Sequence, residues 1–272
     1  GCTFTDTVNL PEPPQIVFST ILTDYNGYEV SCFGLSDGSI QFTVPSGGFA
    51  PYTYSIDDGG TFNPTTLYSS LDTGTYNIEV KDAIGCIEAS IDTLNDPGKF
   101  SLPLVSNTID CFGNCNGEII ITPSNGVGQI LYAIDGGAQV ITTSFLGLCG
   151  DITSNGSYTF NAVDDNGCLA DTIITLTEPT DFIYTTSSNQ DDFCSQSTGQ
   201  ASITVTGGTG SLTYLWDDGA AQSSAVAINL ASGSYSVLVT DQNNCDFTES
   251  VTVLADEGFT VSFTTISPCL GD

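Results

Sequence analysis

The phrase Asp164-Asp165-Asn166-Gly167-Cys168 has near copies at Asp82-Ala83-Ile84-Gly85-Cys86 and Asp241-Gln242-Asn243-Asn244-Cys245, and Gly1-Cys2 has the form of its last two residues. A second series keeps step with it: Cys32-Phe33-Gly34, Cys111-Phe112-Gly113, Cys194-Ser195 and Cys269-Leu270-Gly271. The first three are followed by Ser36-Asp37-Gly38, Cys115-Asn116-Gly117 and Ser197-Thr198-Gly199. The marks recur about every eighty residues, long enough for each unit to own a core, unlike solenoid units of roughly 20–50 residues. The chain therefore reads as the end of one repeat (1–14), three complete repeats (15–97, 98–179 and 180–256) and the start of another (257–272).

Within the first repeat, 17–22, 39–44, 51–56, 75–80 and 87–94 are short, β-branched and aromatic, and are separated by Gly, Asp and Asn. They read as strands A, B, C, F and G. Ile40, Phe42 and Val44, and Tyr76, Ile78 and Val80, alternate with polar residues, so one face of each strand is expected in a core. Two shorter strands are expected around Phe62 and over 67–71. No segment has helical period. The expected class is all-β, a tandem array of immunoglobulin-like seven-stranded β-sandwiches. Leu71-x-x-Gly74-x-Tyr76 and Leu230-x-x-Gly233-x-Tyr235, with a looser Gly156-x-Tyr158, have the spacing of a tyrosine corner. Trp216 is placed on strand C at the position of Ser55 and Ala133, as a packing residue or an exposed carbohydrate platform.

Composition removes several functions. Two Lys/Arg stand against 32 Asp/Glu, with no His, for a formal net charge of −30. Only Lys81 and Lys99 could meet phosphates, so nucleic acid is excluded as a partner. Without histidine there is no Ser-His-Asp or Cys-His catalysis and no His-ligated zinc. Carboxylate-only enzymes remain conceivable, but the acids recur at like turn positions in every repeat, as structural residues do. The expected function is non-enzymatic. With 40% hydrophobic residues in clean alternation, the chain should fold despite its charge. No apolar run of membrane-spanning length occurs, and any export signal or anchor is expected outside this segment.

The 10 cysteines, periodically placed, point to disulfides in an oxidising space outside the cytoplasm. Seven antiparallel passes bring the chain in at one end of a sandwich and out at the other, putting the A–B loop and the F–G turn of one repeat at opposite ends. A strand of nine residues would hold them roughly 30 Å apart, against the ~6 Å Cα separation of a disulfide. The favoured pairing therefore joins successive repeats, Cys32 to Cys168 and Cys111 to Cys245, leaving Cys2, Cys86, Cys194 and Cys269 for repeats beyond the segment. Pairing within repeats (Cys32–Cys86, Cys111–Cys168, Cys194–Cys245) stays open. Cys115 and Cys149 occur only in the second repeat, in loops at one end of the sandwich, and are expected to bond to each other.

No cofactor is required by this reading. Asp37, Asp57, Asp58 and Asp72 at the downstream end of the first repeat, with Asp164 and Asp165 at the upstream end of the second, could offer calcium an oxygen-rich site. The competing reading is that they form Asx turns before Gly. Asn155-Gly156-Ser157 has the form of an N-glycosylation sequon, although a turn accounts for it as well.

Taken together, Cys-x-Gly with its following Gly, Gly47-Gly48-Phe49-Ala50-Pro51-Tyr52-Thr53-Tyr54, Leu-x-x-Gly-x-Tyr, Asp-x-x-Gly-Cys and a Thr-rich strand ending before Pro97 or Pro179 resemble the SprB repeat of Bacteroidetes surface proteins. Gly207-Gly208-Thr209-Gly210-Ser211-Leu212-Thr213-Tyr214 follows the pattern in the third repeat; Asn125-Gly126-Val127-Gly128 departs from it in the second. The resemblance implies the shaft of a very long adhesin on the outer face of the outer membrane, exported by the type IX secretion system and moved by the gliding motor. Its partners would be adjacent repeats of the chain, the gliding and secretion machinery and, through other parts, an extracellular surface or polysaccharide. Asp6-Thr7-Val8, Asp92-Thr93-Leu94 and Asp171-Thr172-Ile173 resemble the O-glycosylation motif of secreted Bacteroidetes proteins, making Thr7, Thr93 and Thr172 candidates, although a strand end also uses Thr. A glycan-binding module and the stalk of a secreted hydrolase are the rival functions. Tyr52 and Tyr54, echoed by Tyr132 and Tyr214, are the aromatics a binding module would draw on.

Overall fold

Gly and Asp/Asn turns divide the chain into short β-branched segments, and these pair as antiparallel strands in the computed structural model, which describes residues 1–6, 8, 11–150, 156–256, 258 and 261–264. The first repeat contributes β1 (Thr20–Leu22), β2 (Gly38–Phe42), β3 (Thr53–Ser55), β4 (Leu67–Leu71), β5 (Gly74–Lys81) and β6 (Ile87–Leu94). The second contributes β7 (Leu104–Ser106), β8 (Gly117–Ile121), β9 (Leu131–Ile134), β10 (Ser144–Leu148), β11 (Ser157–Val163) and β12 (Leu169–Thr175). The third contributes β13 (Ile183–Gln190), β14 (Asp192–Phe193), β15 (Gly199–Thr206), β16 (Thr213–Trp216), β17 (Val226–Leu230), β18 (Gly233–Thr240), β19 (Asp246–Val253) and β20 (Ala255–Asp256). The described residues are all-β. The chain forms two compact units, Gly1–Val105 with Ile119–Phe145 and Tyr158–Ile174, and Ser106–Glu118 with Leu146–Ser157 and Thr175–Asp272.

Each repeat makes two three-stranded sheets. Their orders are β1-β2-β4 and β3-β5-β6, then β10-β8-β7 and β12-β11-β9, then β13-β15-β17 and β16-β18-β19. This is the immunoglobulin-like ABE/CFG arrangement. The fourth pass differs from expectation: no strand forms around Phe62, and the chain instead touches strand C through the bridge Tyr54↔Asn63, matched by Tyr132↔Val140. Pro64 follows that bridge at once and cannot donate to a ladder. The parity of passes is unchanged. In the third repeat a further short pair forms, β14 parallel to β20.

The alternating residues fill the cores, Val44 excepted: it lies past the end of β2 and is 91% exposed. Ile40 and Phe42 from β2 meet Ile78 and Val80 from β5 and Leu94 from β6 in the first; Ala201, Ile203, Trp216, Val237 and Val239 form the third. Trp216 is 1% exposed, so it is no carbohydrate platform. Its ring nitrogen donates to the Ser224 carbonyl at 2.8 Å, satisfying the one polar atom that burial would strand. Strand register also corrects its place. Tyr54 pairs with Val80, Tyr132 with Ala162 and Tyr214 with Val239, so Trp216 corresponds to Ile56 and Ile134. Tyr54 and Tyr132 are likewise buried, removing them from any binding surface. The hydroxyls of Tyr76 and Tyr235 donate to the carbonyls of Asp72 and Ala231, four residues upstream, at 2.9 and 3.0 Å. These are tyrosine corners that fix the approach to β5 and β18.

Candidate functional site: the stapled joints

The F–G turn of every repeat is organised by one buried aspartate. Asp82, Asp164 and Asp241 each accept two N–H groups of their own turn on Oδ1: those of Ile84 and Cys86, Asn166 and Cys168, and Asn243 and Cys245. On Oδ2 each accepts one N–H of the B–C loop, from Phe49, Val127 or Thr209. A carboxylate can take three donors at once where a neutral side chain cannot, which is why this phrase begins with Asp. Burial alone would raise the Asp82 pKa; the N–H groups of Phe49, Cys86, Ile84 and Gly85 outweigh it and hold the carboxyl below the usual range. The result is a rigid turn that presents a cysteine.

In the first unit that cysteine meets the A–B loop of the preceding repeat. Cys32 bonds Cys168 with a Cα separation of 5.6 Å. The Asn166 amide donates to the carbonyls of Tyr25 and Ser31 at 3.1 and 3.2 Å, and Asn26 donates to its Oδ1 at 2.6 Å. Cys168 Sγ lies 3.2 Å from the Ser31 carbonyl oxygen. Ser31 is held in turn by Asp37, which accepts both its N–H and its hydroxyl. The second unit repeats the design. Cys111 bonds Cys245 at 5.6 Å, the Asn243 amide donates to the Asp110 carbonyl at 3.0 Å, and Cys245 Sγ lies 3.2 Å from the same oxygen. Hydrogen bonds from the Asn114 and Asn116 side chains lower the pKa of Asp110. Cys115 bonds Cys149 with a Cα separation of 4.0 Å. Among the described residues Cys2, Cys86 and Cys194 are unbonded and exposed; Cys269 lies outside them.

The asparagine clamp escapes a reading centred on cysteines. The available signal is the third residue of the phrase, Asn166 and Asn243, whose place Ile84 takes in the first repeat. The structure does not gather the six acidic candidates. Asp37 holds Ser31; Asp57 accepts the Ser55 hydroxyl and the Thr61 N–H; Asp165 accepts the Gln129 N–H. The Asp58 N–H donates to the Asn77 carbonyl, which places Asp57 and Asp58 beside the middle of β5 instead of at the downstream end of the repeat. Asp72 lends its backbone carbonyl to Tyr76, and Asp164 is occupied by its turn. Among the described residues no group of three His, Cys, Asp or Glu side chains is arranged to hold a metal ion. Thr93 is exposed on β6 and Thr172 half-buried on β12; Thr7 and Asn155 lie outside the described residues. Lys81 sits over the Phe62 ring, 3.8 Å from its centroid.

Paired Greek-key sheets, recurring turns and disulfides linking successive copies define a tandem β-sandwich repeat protein. Residues 29–61 and 186–221 match the SprB repeat. The two matches cover overlapping parts of the first and third repeats: 29–61 runs from the A–B loop, and 186–221 from within β13, through strand B to just past strand C. Among solved structures, the three N-terminal domains of the bacteriophage RB49 highly immunogenic outer capsid protein align over 89% of this chain and 100% of theirs, at 13% identity and a TM-score of 0.43. Domains 3–5 of the Drosophila OTK extracellular region align over 90% and 92%, at 10% identity and 0.31. A tetra-tandem repeat from the extending region of a large adhesion protein aligns over 90% and 74%, at 15% identity and 0.30. No curated protein matches the chain. No helix is long and apolar enough to cross a membrane among the described residues.

Proposed function

We propose that this segment is a non-enzymatic length of the shaft of a long extracellular adhesin, built from repeats 15–97, 98–179 and 180–256, and that it carries load between an adhesive part and the cell. The observation that carries this reading is the overlap of the staples. Cys32–Cys168 and Cys111–Cys245 span 136 and 134 residues, so each reaches over most of the second repeat into its neighbour. A covalent bond across a joint limits extension after the non-covalent contacts there have yielded. Cys86 presents the same aspartate-held turn as Cys168 and Cys245 and would staple to a preceding repeat; Cys194 would serve a following one. The SprB repeat match supports placing the parent at a bacterial cell surface, with export by type IX secretion and movement by the gliding motor. Glycosylation at Thr7, Thr93 and Thr172 and calcium at the acidic loops belong to the same proposal as optional reinforcement.

Peptide mapping of the native protein without reduction tests it. Linked peptides joining Cys32 to Cys168 and Cys111 to Cys245 are expected. Cys32 with Cys86 and Cys111 with Cys168 would leave independent beads and overturn the stapled shaft.

A further inference from the structure

A groove flanks each staple, and the two grooves use corresponding residues. Beside Cys32–Cys168 it is walled by Phe33, Phe100 and Leu169, with Leu35 and Lys99 at the rim. Beside Cys111–Cys245 the counterparts are Phe112, Phe182 and Asp246, with Asn114 and Asp181, and Tyr184 and Phe247 extend the wall. The second groove encloses about 500 Å³. Its rings form a row: Phe247 lies 4.8 Å from Tyr184 at an interplanar angle of 23°, and 4.9 Å from Phe182 at 44°. The Tyr184 hydroxyl donates to Glu249, which locks the ring's orientation. Phe112 remains 51% exposed and Tyr184 40%, although both stand next to a covalently fixed joint that could have covered them.

We propose that the groove beside Cys111–Cys245 binds a neutral carbohydrate. The exposed rings of Phe112 and Tyr184, the latter backed by Phe247, accept the C–H face of a sugar ring, and the carboxylates of Asp181 and Asp246 with the amide of Asn244 line the groove as hydroxyl partners. Charge decides against anionic ligands: a chain of net charge −30 with no Arg repels phosphate, sulfate and uronate, while the row of aromatic rings in the groove favours a sugar face over a lysine side chain. The first groove has Leu35, Lys99 and Leu169 where the second has Asn114, Asp181 and Asp246, so it lacks the hydroxyl acceptors and serves as an internal control. The inference goes beyond the shaft reading and can fail without it.

The test is an array of neutral oligosaccharides, with sialylated and uronate-bearing glycans and a lysine-rich peptide as charged counterparts. It is probed with the 272-residue protein and with its Phe112→Ala, Tyr184→Ala and Phe33→Ala variants. Circular dichroism and non-reduced mass spectrometry confirm that each variant keeps its fold and staples. Signal confined to neutral glycans, reduced at least tenfold by Phe112→Ala and by Tyr184→Ala and retained by Phe33→Ala, is expected. Absence of neutral-glycan binding, binding that survives both groove substitutions, or preference for the anionic glycans or the peptide would overturn the proposal.

Discussion

Asp82, Asp164 and Asp241 occupy the same place in three turns, and two residues further on stand Ile84, Asn166 and Asn243. The aspartate builds the turn in all three, and Asn166 and Asn243 also reach the neighbouring repeat. Replacing Asp241 by Ala strands three N–H groups, those of Thr209, Asn243 and Cys245, and is expected to cost about 2–4 kcal/mol in urea denaturation. A midpoint equal to that of the parent would mean the turn is held by something else. Asp82 carries a pH dependence of known sign. Its folded pKa lies below the unfolded value, so its stabilisation is complete above the ordinary carboxylate range of about 4 and is lost as pH falls through the lower folded value. Carbon-detected NMR titration of the Asp82 carboxyl should give a midpoint under that range; a midpoint at or above it contradicts the hydrogen-bonding account. That the recurring acids are turn residues was legible from the phrase itself. Trp216 was misplaced by one position because Tyr214, Leu215 and Trp216 are all apolar, and only pairing with β18 fixes which of them faces inward.

Gly38, Gly117 and Gly199 open strand B of each repeat (β2, β8 and β15), and their recurrence has a steric cause. A Cβ on Gly199 would stand 2.4 Å from the Val253 side chain and 2.7 Å from the Leu230 carbonyl oxygen; on Gly38 and Gly117 it would meet the matching carbonyls of Leu71 and Leu148. A backbone carbonyl held in a sheet cannot retreat as a side chain can. Gly199→Ala is therefore expected to lower stability by roughly 2–3 kcal/mol, read from the shift of the urea midpoint, and an unshifted midpoint would refute the close approach. Strand positions and buried faces were readable from period-two alternation, as Ile40 with Phe42 and Ile78 with Val80 illustrate. The fourth pass was not. A strand was expected around Phe62, but Pro64 cannot donate to a ladder and the pass exists only as the contact Tyr54↔Asn63 with strand C.

At the scale of the molecule, connectivity depends on the parity of passes, which a bridge preserves as well as a strand does. The sequence left pairing within repeats open, because one strand more or fewer would bring the A–B loop and the F–G turn to the same end of the sandwich. The grooves were invisible for a related reason: Phe33 and Phe112 read as part of a cysteine motif, and their walls come from the following repeat. The overlapping bonds fold the covalent path back on itself. From Gly1 the shortest covalent route runs to Cys32, crosses to Cys168, returns to Cys149, crosses to Cys115, reaches Cys111 and crosses to Cys245. Cys115–Cys149 thus removes slack from the central return. Stretching single molecules by their termini, with and without reductant, tests this directly. The taut oxidised chain should span only roughly 80 residues, ~280 Å at ~3.4 Å each, and the reduced chain roughly 900 Å. An oxidised end point near ~370 Å, the length left by bonds within repeats, or equal lengths in both conditions, would contradict the stapled shaft.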